Sequence, residues 1–140
     1  QELGLENNFF LKGYHSEPHL IFSEGDISIL SSISEGFPFT VLESMSCGVP
    51  VVATDVGGVA EAIDEHSGFV CKPRDPEAIG AKVIELLSNV ALREQMSKLG
   101  RQRVIDLFTL DIFIDSYERI YAEVYNQHKL KSVPEPSVEV

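Results

Sequence analysis

The sequence predicts an α/β fold, a parallel sheet with helices on both faces. Three observations predict it. Short apolar runs such as Asp26–Ser31 (DISILS) and Pro50–Thr54 (PVVAT) are bounded by polar residues, Gly or Pro, as buried strands are. Helical stretches separate these runs, which is the pattern of βαβ units. The second half carries apolar stripes at helical spacing.

Asn7–Gly13 (NNFFLKG) reads as a short strand ending in a turn. Glu17–Glu24 reads as a short helix leading into the strand Asp26–Ser31. Ser34–Pro38 (SEGFP) is loop. Phe39–Cys47 (FTVLESMSC) is helical, with Gly48 and Pro50 supplying the stop. Pro50–Thr54 is a β-branched strand, and Gly57-Gly58 opens a short helix over Val59–Asp64. Gly68–Cys71 (GFVC) is a fourth strand. Asp75-Pro76 starts a long helix, with an N-cap acid and a proline at the first helical position. Ile79, Val83, Leu86 and Leu87 form one apolar face. Leu92, Met96, Leu99, Val104, Leu107 and Phe108 form a second, broken around Gly100. Phe113, Tyr117, Ile120, Tyr121 and Val124 form a third. All three stripes read as core, with the C-terminal helices wrapping the sheet. The domain is expected over residues 1–129, and residues 130–140, polar with two prolines, as a frayed tail.

Composition bounds the function. The 140 residues hold 22 acids and 11 Lys and Arg, a formal net charge of −11. Residues 1–71 account for most of it, with 11 acids and one base, Lys12. That argues against nucleic acid or an anionic membrane as partner, because neutralising phosphates needs clustered Lys and Arg. The length suits one domain with a real core. No apolar run approaches the ~20 residues of a membrane span. Cys47 and Cys71 lie in apolar contexts without CxxC spacing and read as buried free thiols of a reducing compartment. No G-x-G-x-x-G follows a strand, which excludes a dinucleotide oxidoreductase.

In parallel sheets ligands bind beyond the carboxyl ends of the strands. Two loops of unusual composition sit there, SEGFPFT and TDVGG. Glu35 lies in the first loop, and Glu43 lies on the helix that follows. Helical side chains tilt toward the N-terminus, so Glu43 can lean toward the ligand end of its helix while Glu35 approaches from the loop. Gly36 lets backbone come close to a ligand, and Phe37-Pro38 stiffens the turn. The amides near Phe39, Thr40 and Val41 open a helix and suit a phosphate. Ionised carboxylates accept hydrogen bonds only, so the two acids suit hydroxyl-rich groups. A phosphate flanked by hydroxyls describes a nucleotide sugar. Asp55 with Gly57-Gly58 reads equally as cleft lining or as turn chemistry. His15 and His19 read as solvated loop residues, and Lys72 and Arg74 as surface charges.

The segment SEGFPFTVLESMSCGVPVVATDVGG resembles the signature of the family 4 (group 1) retaining glycosyltransferases, with Glu35 and Glu43 matching its Glu-x7-Glu motif. LKGY, GDISILSS, GFVCKPRDPEAI and ALREQMSKLGRQRV match further family segments in order, over most of residues 1–125. The resemblance implies the Rossmann-like C-terminal half of a GT-B fold, the half that binds the nucleotide-sugar donor. It implies that Glu43 binds the ribose hydroxyls and that Glu35, the catalytic candidate, contacts the donor sugar near its 3-hydroxyl. The backbone of Gly36, Phe37, Pro38 and Phe39 would touch the sugar, and the Thr40 and Val41 amides the diphosphate. Gly13 and Tyr14 would lie near the base.

SISEGFP and the LKG run are similar to enzymes of exopolysaccharide synthesis that use UDP-glucose. The expected donor is therefore a UDP-hexose, bound as substrate, with no separate cofactor. No Asp-x-Asp pair occurs, so no bridging metal is expected. In the family an Arg and a Lys upstream of this region stabilise the leaving diphosphate. Residues 1–71 offer only Lys12, which the strand reading points away from the cleft. With Gln1 in place of Met, this predicts a donor-half fragment that is not a competent transferase alone. The acceptor, a glycan or lipid, would bind an absent N-terminal domain. The expected location is cytoplasmic, peripheral at a membrane in a full-length protein. The alternative reading is a non-catalytic module that binds a nucleotide sugar or a partner chain.

Overall fold

The computed structural model describes residues 3–131, with side chains through residue 128. The elements are α1 (Pro18–Phe22), β1 (Ser28–Leu30), α2 (Phe39–Ser46), β2 (Val51–Thr54), α3 (Val59–Ala62), β3 (Gly68–Cys71), α4 (Pro76–Ser88), α5 (Val90–Leu107) and α6 (Leu110–Lys131). The strands form a parallel sheet in the order β1-β2-β3, with Ser28 opposite Val51 and Ala53 opposite Val70. Parallel neighbours need a crossover, and α2 and α3 supply the two required.

β2 explains why both faces are covered. Every residue of it is buried, which is why PVVAT reads as a continuous apolar run and not an alternating one. Val51 and Ala53 join Val41, Met45, Val59, Ala62 and Ile63 under α2 and α3. Val52 points the other way and joins Cys71, Leu86 and Met96 under α4 and α5. Each of these buried valines contributes about 1.5–3 kcal/mol of apolar burial.

The helix signals hold at α4, where the Asp75 carboxylate accepts the Ala78 N–H at 2.9 Å. Asn89 does the same for α5 through the Leu92 N–H at 3.1 Å. The break between apolar faces therefore falls at Asn89. α5 runs without interruption through Gly100, which is buried between the Ser67 carbonyl and Met45. A glycine there lets α5 approach closely and does not end the helix.

Asn7–Gly13 is not a strand. A turn at Glu6–Asn8 places the Asn8 and Phe9 N–H groups on the Leu5 carbonyl, and Phe9, Phe10 and Leu11 are exposed. A strand needs a ladder partner, and this segment pairs with none of the described strands, so the sheet has three strands. Lys12 consequently lies in an exposed loop. The third apolar stripe is not core, and Leu87, Leu99 and Leu107 of the first two are exposed as well. Phe113, Tyr117, Ile120, Tyr121 and Val124 are between 48% and 69% exposed, stacked along α6 with Phe113 and Tyr117 rings 4.5 Å apart. Periodicity shows that a helix face is apolar and says nothing about what covers it.

α6 runs into the expected tail, to Lys131, and residues 132–140 lie outside the described residues. Cys71 is buried, whereas Cys47 is only half-buried. Among the described residues no helix is long and apolar enough to cross a membrane.

Candidate functional site

The loops after β1 and β2 leave the same end of the sheet and lock together through backbone. The Gly58 N–H donates to the Gly36 carbonyl at 2.7 Å. A Cβ on Gly57 would stand 2.3 Å from the carbonyl oxygens of both Glu35 and Gly36, and Gly57 has φ +53. A Cβ on Gly58 would stand 2.3 Å from the Phe37 ring. The glycine pair therefore serves close approach. It is the buttress of the Glu35 loop.

Two hydroxyls that the sequence reading missed complete the loop. Thr54 Oγ1, at the carboxyl end of β2, donates to the Ser32 carbonyl at 2.6 Å. Ser32 Oγ donates in turn to Glu35 Oε1 at 2.6 Å. The Ser32–Glu35 bond is local, between residues three apart in one loop, whereas Thr54 and Ser32 meet only because β1 and β2 pair.

α2 begins at Phe39 with Pro38 as its N-cap, and no side chain caps its first turn. Pro38 is buried, while Phe39 and Thr40 are exposed. The Val41 N–H donates to the Pro38 carbonyl at 3.1 Å, and the Val41 side chain is core. Of the three expected anion-facing positions, Phe39 and Thr40 thus carry the exposed end. An uncapped helix start concentrates partial positive charge and N–H donors. Glu43 lies one turn on from Phe39, exposed, with its Cβ tilted back toward that end.

The far side of the loop rests on aromatic rings. The Phe37 centroid is 6.3 Å from that of Phe39 and 6.0 Å from that of Phe108, which ends α5. The Arg103 guanidinium lies over Phe108 and donates to the Glu61 and Ala62 carbonyls, closing the carboxyl end of α3. It also pairs with Asp64 at 2.8 Å. Burial works against the Asp64 charge, but Ser67, the His66 N–H and Arg103 outweigh it and hold the carboxyl below its usual value.

Gly13 and Tyr14 lie in the exposed segment before α1, Gly13 with φ +70 and Tyr14 93% exposed. Among the described residues no hydrogen bond ties either to the Glu35 loop. His15 Nε2 lies 3.1 Å from the Lys12 carbonyl of the same segment. Beside the start of α2, Phe22, Ile29, Leu30 and Thr40 line an open groove of about 210 Å³. That is smaller than the ~300–1,000 Å³ of most ligand sites. Among the described residues no group of three His, Cys, Asp or Glu side chains could hold a metal.

Comparison with known proteins accords with this geometry. Residues 1–103 match the family model for glycosyl transferases group 1. The chain is similar to N-acetyl-alpha-D-glucosaminyl L-malate synthase of Bacillus anthracis, 29% identical over 130 residues, covering 92% of this chain and 34% of that protein. In structure it is similar to a glycosyltransferase from Rickettsia africae (TM-score 0.83, 29% identity), covering 89% of this chain and 34% of that one. It is also similar to Anabaena HepE, solved in complex with UDP-glucose (TM-score 0.59, 25% identity), covering 73% and 30%. The chain spans about a third of the length of these proteins. With the parallel sheet, its two helical layers and the ordered motifs, these matches establish that the chain belongs to the group 1 glycosyl transferases, of GT-B fold.

Proposed function

We propose that residues 1–129 form the donor-binding domain of a retaining hexosyltransferase. The domain takes a hexose from a nucleotide sugar, UDP-hexose as donor, and needs no cofactor. The observation that carries the reading is the backbone lock between Gly36 and Gly58, which holds Glu35 in a fixed loop at the uncapped start of α2. HepE, a structural relative, was solved with UDP-glucose.

Glu43 accepts hydrogen bonds from the ribose hydroxyls, and Glu35 from the sugar near its 3-hydroxyl. The backbone of Gly36–Phe39 touches the sugar. The amide at Thr40, at the exposed end, faces the diphosphate, while the Val41 N–H is taken by the Pro38 carbonyl. Gly13 and Tyr14 lie near the base. The acceptor, a glycan or lipid, binds a domain other than this one. In the transfer the acceptor oxygen bonds to the anomeric carbon on the face the diphosphate leaves. The anomeric carbon–oxygen bond to the diphosphate breaks, and the acceptor proton passes to a diphosphate oxygen. Positioning and charge stabilisation supply most of such catalysis.

Saturation-transfer NMR with UDP-, GDP- and ADP-sugars tests the reading. Contact with UDP-glucose at millimolar ligand supports it, and no contact with any of them counts against it. A non-catalytic nucleotide-sugar-binding module is the second reading. It is favoured by the scarcity of cations, since Lys12 is the single Lys or Arg of residues 1–71 and sits in an exposed loop. Transfer to any acceptor by a protein containing this domain eliminates it.

A further inference from the structure

We propose that Ser32 is a positioning residue for the Glu35 carboxylate, anchored from beneath by the buried hydroxyl of Thr54. The proposal rests on the donor-binding reading above. Glu35 sits in a loop and is only half-buried, so an unrestrained side chain there would sample many rotamers. Ordering it at the moment of binding would cost affinity. The Ser32 hydroxyl removes that cost beforehand. Its 2.6 Å contact with Oε1 has the length of a charge-assisted O–H···O⁻ bond.

Ser32 is itself fixed. Its carbonyl accepts the Thr54 hydroxyl at 2.6 Å. Thr54 is 1% exposed and is the last residue of the fully buried β2. The same hydroxyl lies 3.4 Å from the Leu30 carbonyl at the end of β1. Rigidity therefore passes from the sheet through Thr54 to Ser32, and from Ser32 to the carboxylate. A serine hydroxyl has one proton to donate, so the bond occupies part of Oε1 and leaves Oε2 to accept from a sugar hydroxyl. Ser32 thereby aims Glu35 without neutralising it. The consequence is specific: Ser32 affects recognition of the hexose and not of the nucleotide.

The test uses the 140-residue chain as wild type, Ser32→Ala and Ser32→Thr. Each is titrated with UDP-glucose and, separately, with UDP. The carboxyl carbon signal of Glu35, assigned by its loss in Glu35→Gln, is followed by NMR. Ser32→Ala is expected to move that signal and to weaken UDP-glucose about tenfold, the size of one lost hydrogen bond to a charged group, with UDP affinity retained. Ser32→Thr, which keeps the hydroxyl, is expected to restore both. Equal weakening of UDP and UDP-glucose overturns the proposal, as does a threonine variant as poor as alanine. Wild-type binding with an indifferent Ser32→Ala overturns the role of Ser32 alone. Failure of wild type to bind either ligand overturns the donor reading beneath it.

Discussion

The Gly58 N–H donates to the Gly36 carbonyl at 2.7 Å, and this one backbone bond joins the loops after β1 and β2. The neighbouring Gly57 has no room for a side chain, since its Cβ would stand 2.3 Å from two carbonyl oxygens. Those atoms are backbone and cannot swing aside. Gly57→Ala should therefore push the loops apart and, with the added strain of positive φ, cost about 1–3 kcal/mol. Thermal melting measures the loss, and a melt indistinguishable from wild type would show that the loops have slack.

The two acids should separate by ligand. Glu43→Ala is expected to weaken UDP and UDP-glucose alike, by about tenfold for a charge-assisted hydrogen bond. Glu35→Ala should weaken UDP-glucose and leave UDP nearly as before. Titration of both variants with both ligands gives the four affinities needed. A Glu43→Ala variant that discriminates between the ligands would reverse the assignment.

Asp64 makes part of the stability depend on pH. Its carboxyl is held below its usual value in the folded chain, so it favours folding above about pH 4, the unfolded range. That contribution is lost as pH falls through the lowered folded value. The difference in stability between wild type and Asp64→Asn should be level at neutral pH and shrink in acid. The Asp64 side chain is 39% exposed, so solvent screening keeps the effect modest. Denaturant melts at several pH values read it directly, and a difference that grows in acid would contradict the sign.

The two kinds of apolar helix position should respond differently. Leu86 of α4 is fully buried, and Leu86→Ala should cost about 2–5 kcal/mol. Tyr121 of α6 is 69% exposed, and Tyr121→Ser should fall within about 0.5 kcal/mol of wild type in this chain. Paired chemical denaturation compares them. Equal losses would place the α6 stripe back in the core.

Much of the fold was legible from local chemistry. Asp75-Pro76 marked a helix start because a carboxylate can accept the Ala78 N–H and a proline there loses nothing. PVVAT marked a strand buried on both faces. The loops SEGFPFT and TDVGG marked the carboxyl end of the sheet, because each lies where a parallel strand hands over to a helix. These signals are short-range, and each is complete within a few residues.

What the tertiary structure alone decided depends on atoms distant in sequence. FFLK has strand-like residues but no partner strand among those described, and a β-bond needs two chains of backbone. The α6 stripe has the period of a core helix, yet burial belongs to whatever packs on it. Gly57 and Gly58 look like turn glycines, and only the approach of Glu35, Gly36 and Phe37 gives their lack of a side chain its purpose. Thr54 reaches Ser32 because parallel pairing brings the ends of β1 and β2 side by side, and Ser32 hands that anchor to Glu35, three residues on in its own loop. The sequence by itself determined the strands, the helix starts and the two loops at the carboxyl ends of β1 and β2. The packing of two loops decided how the Glu35 carboxylate is held.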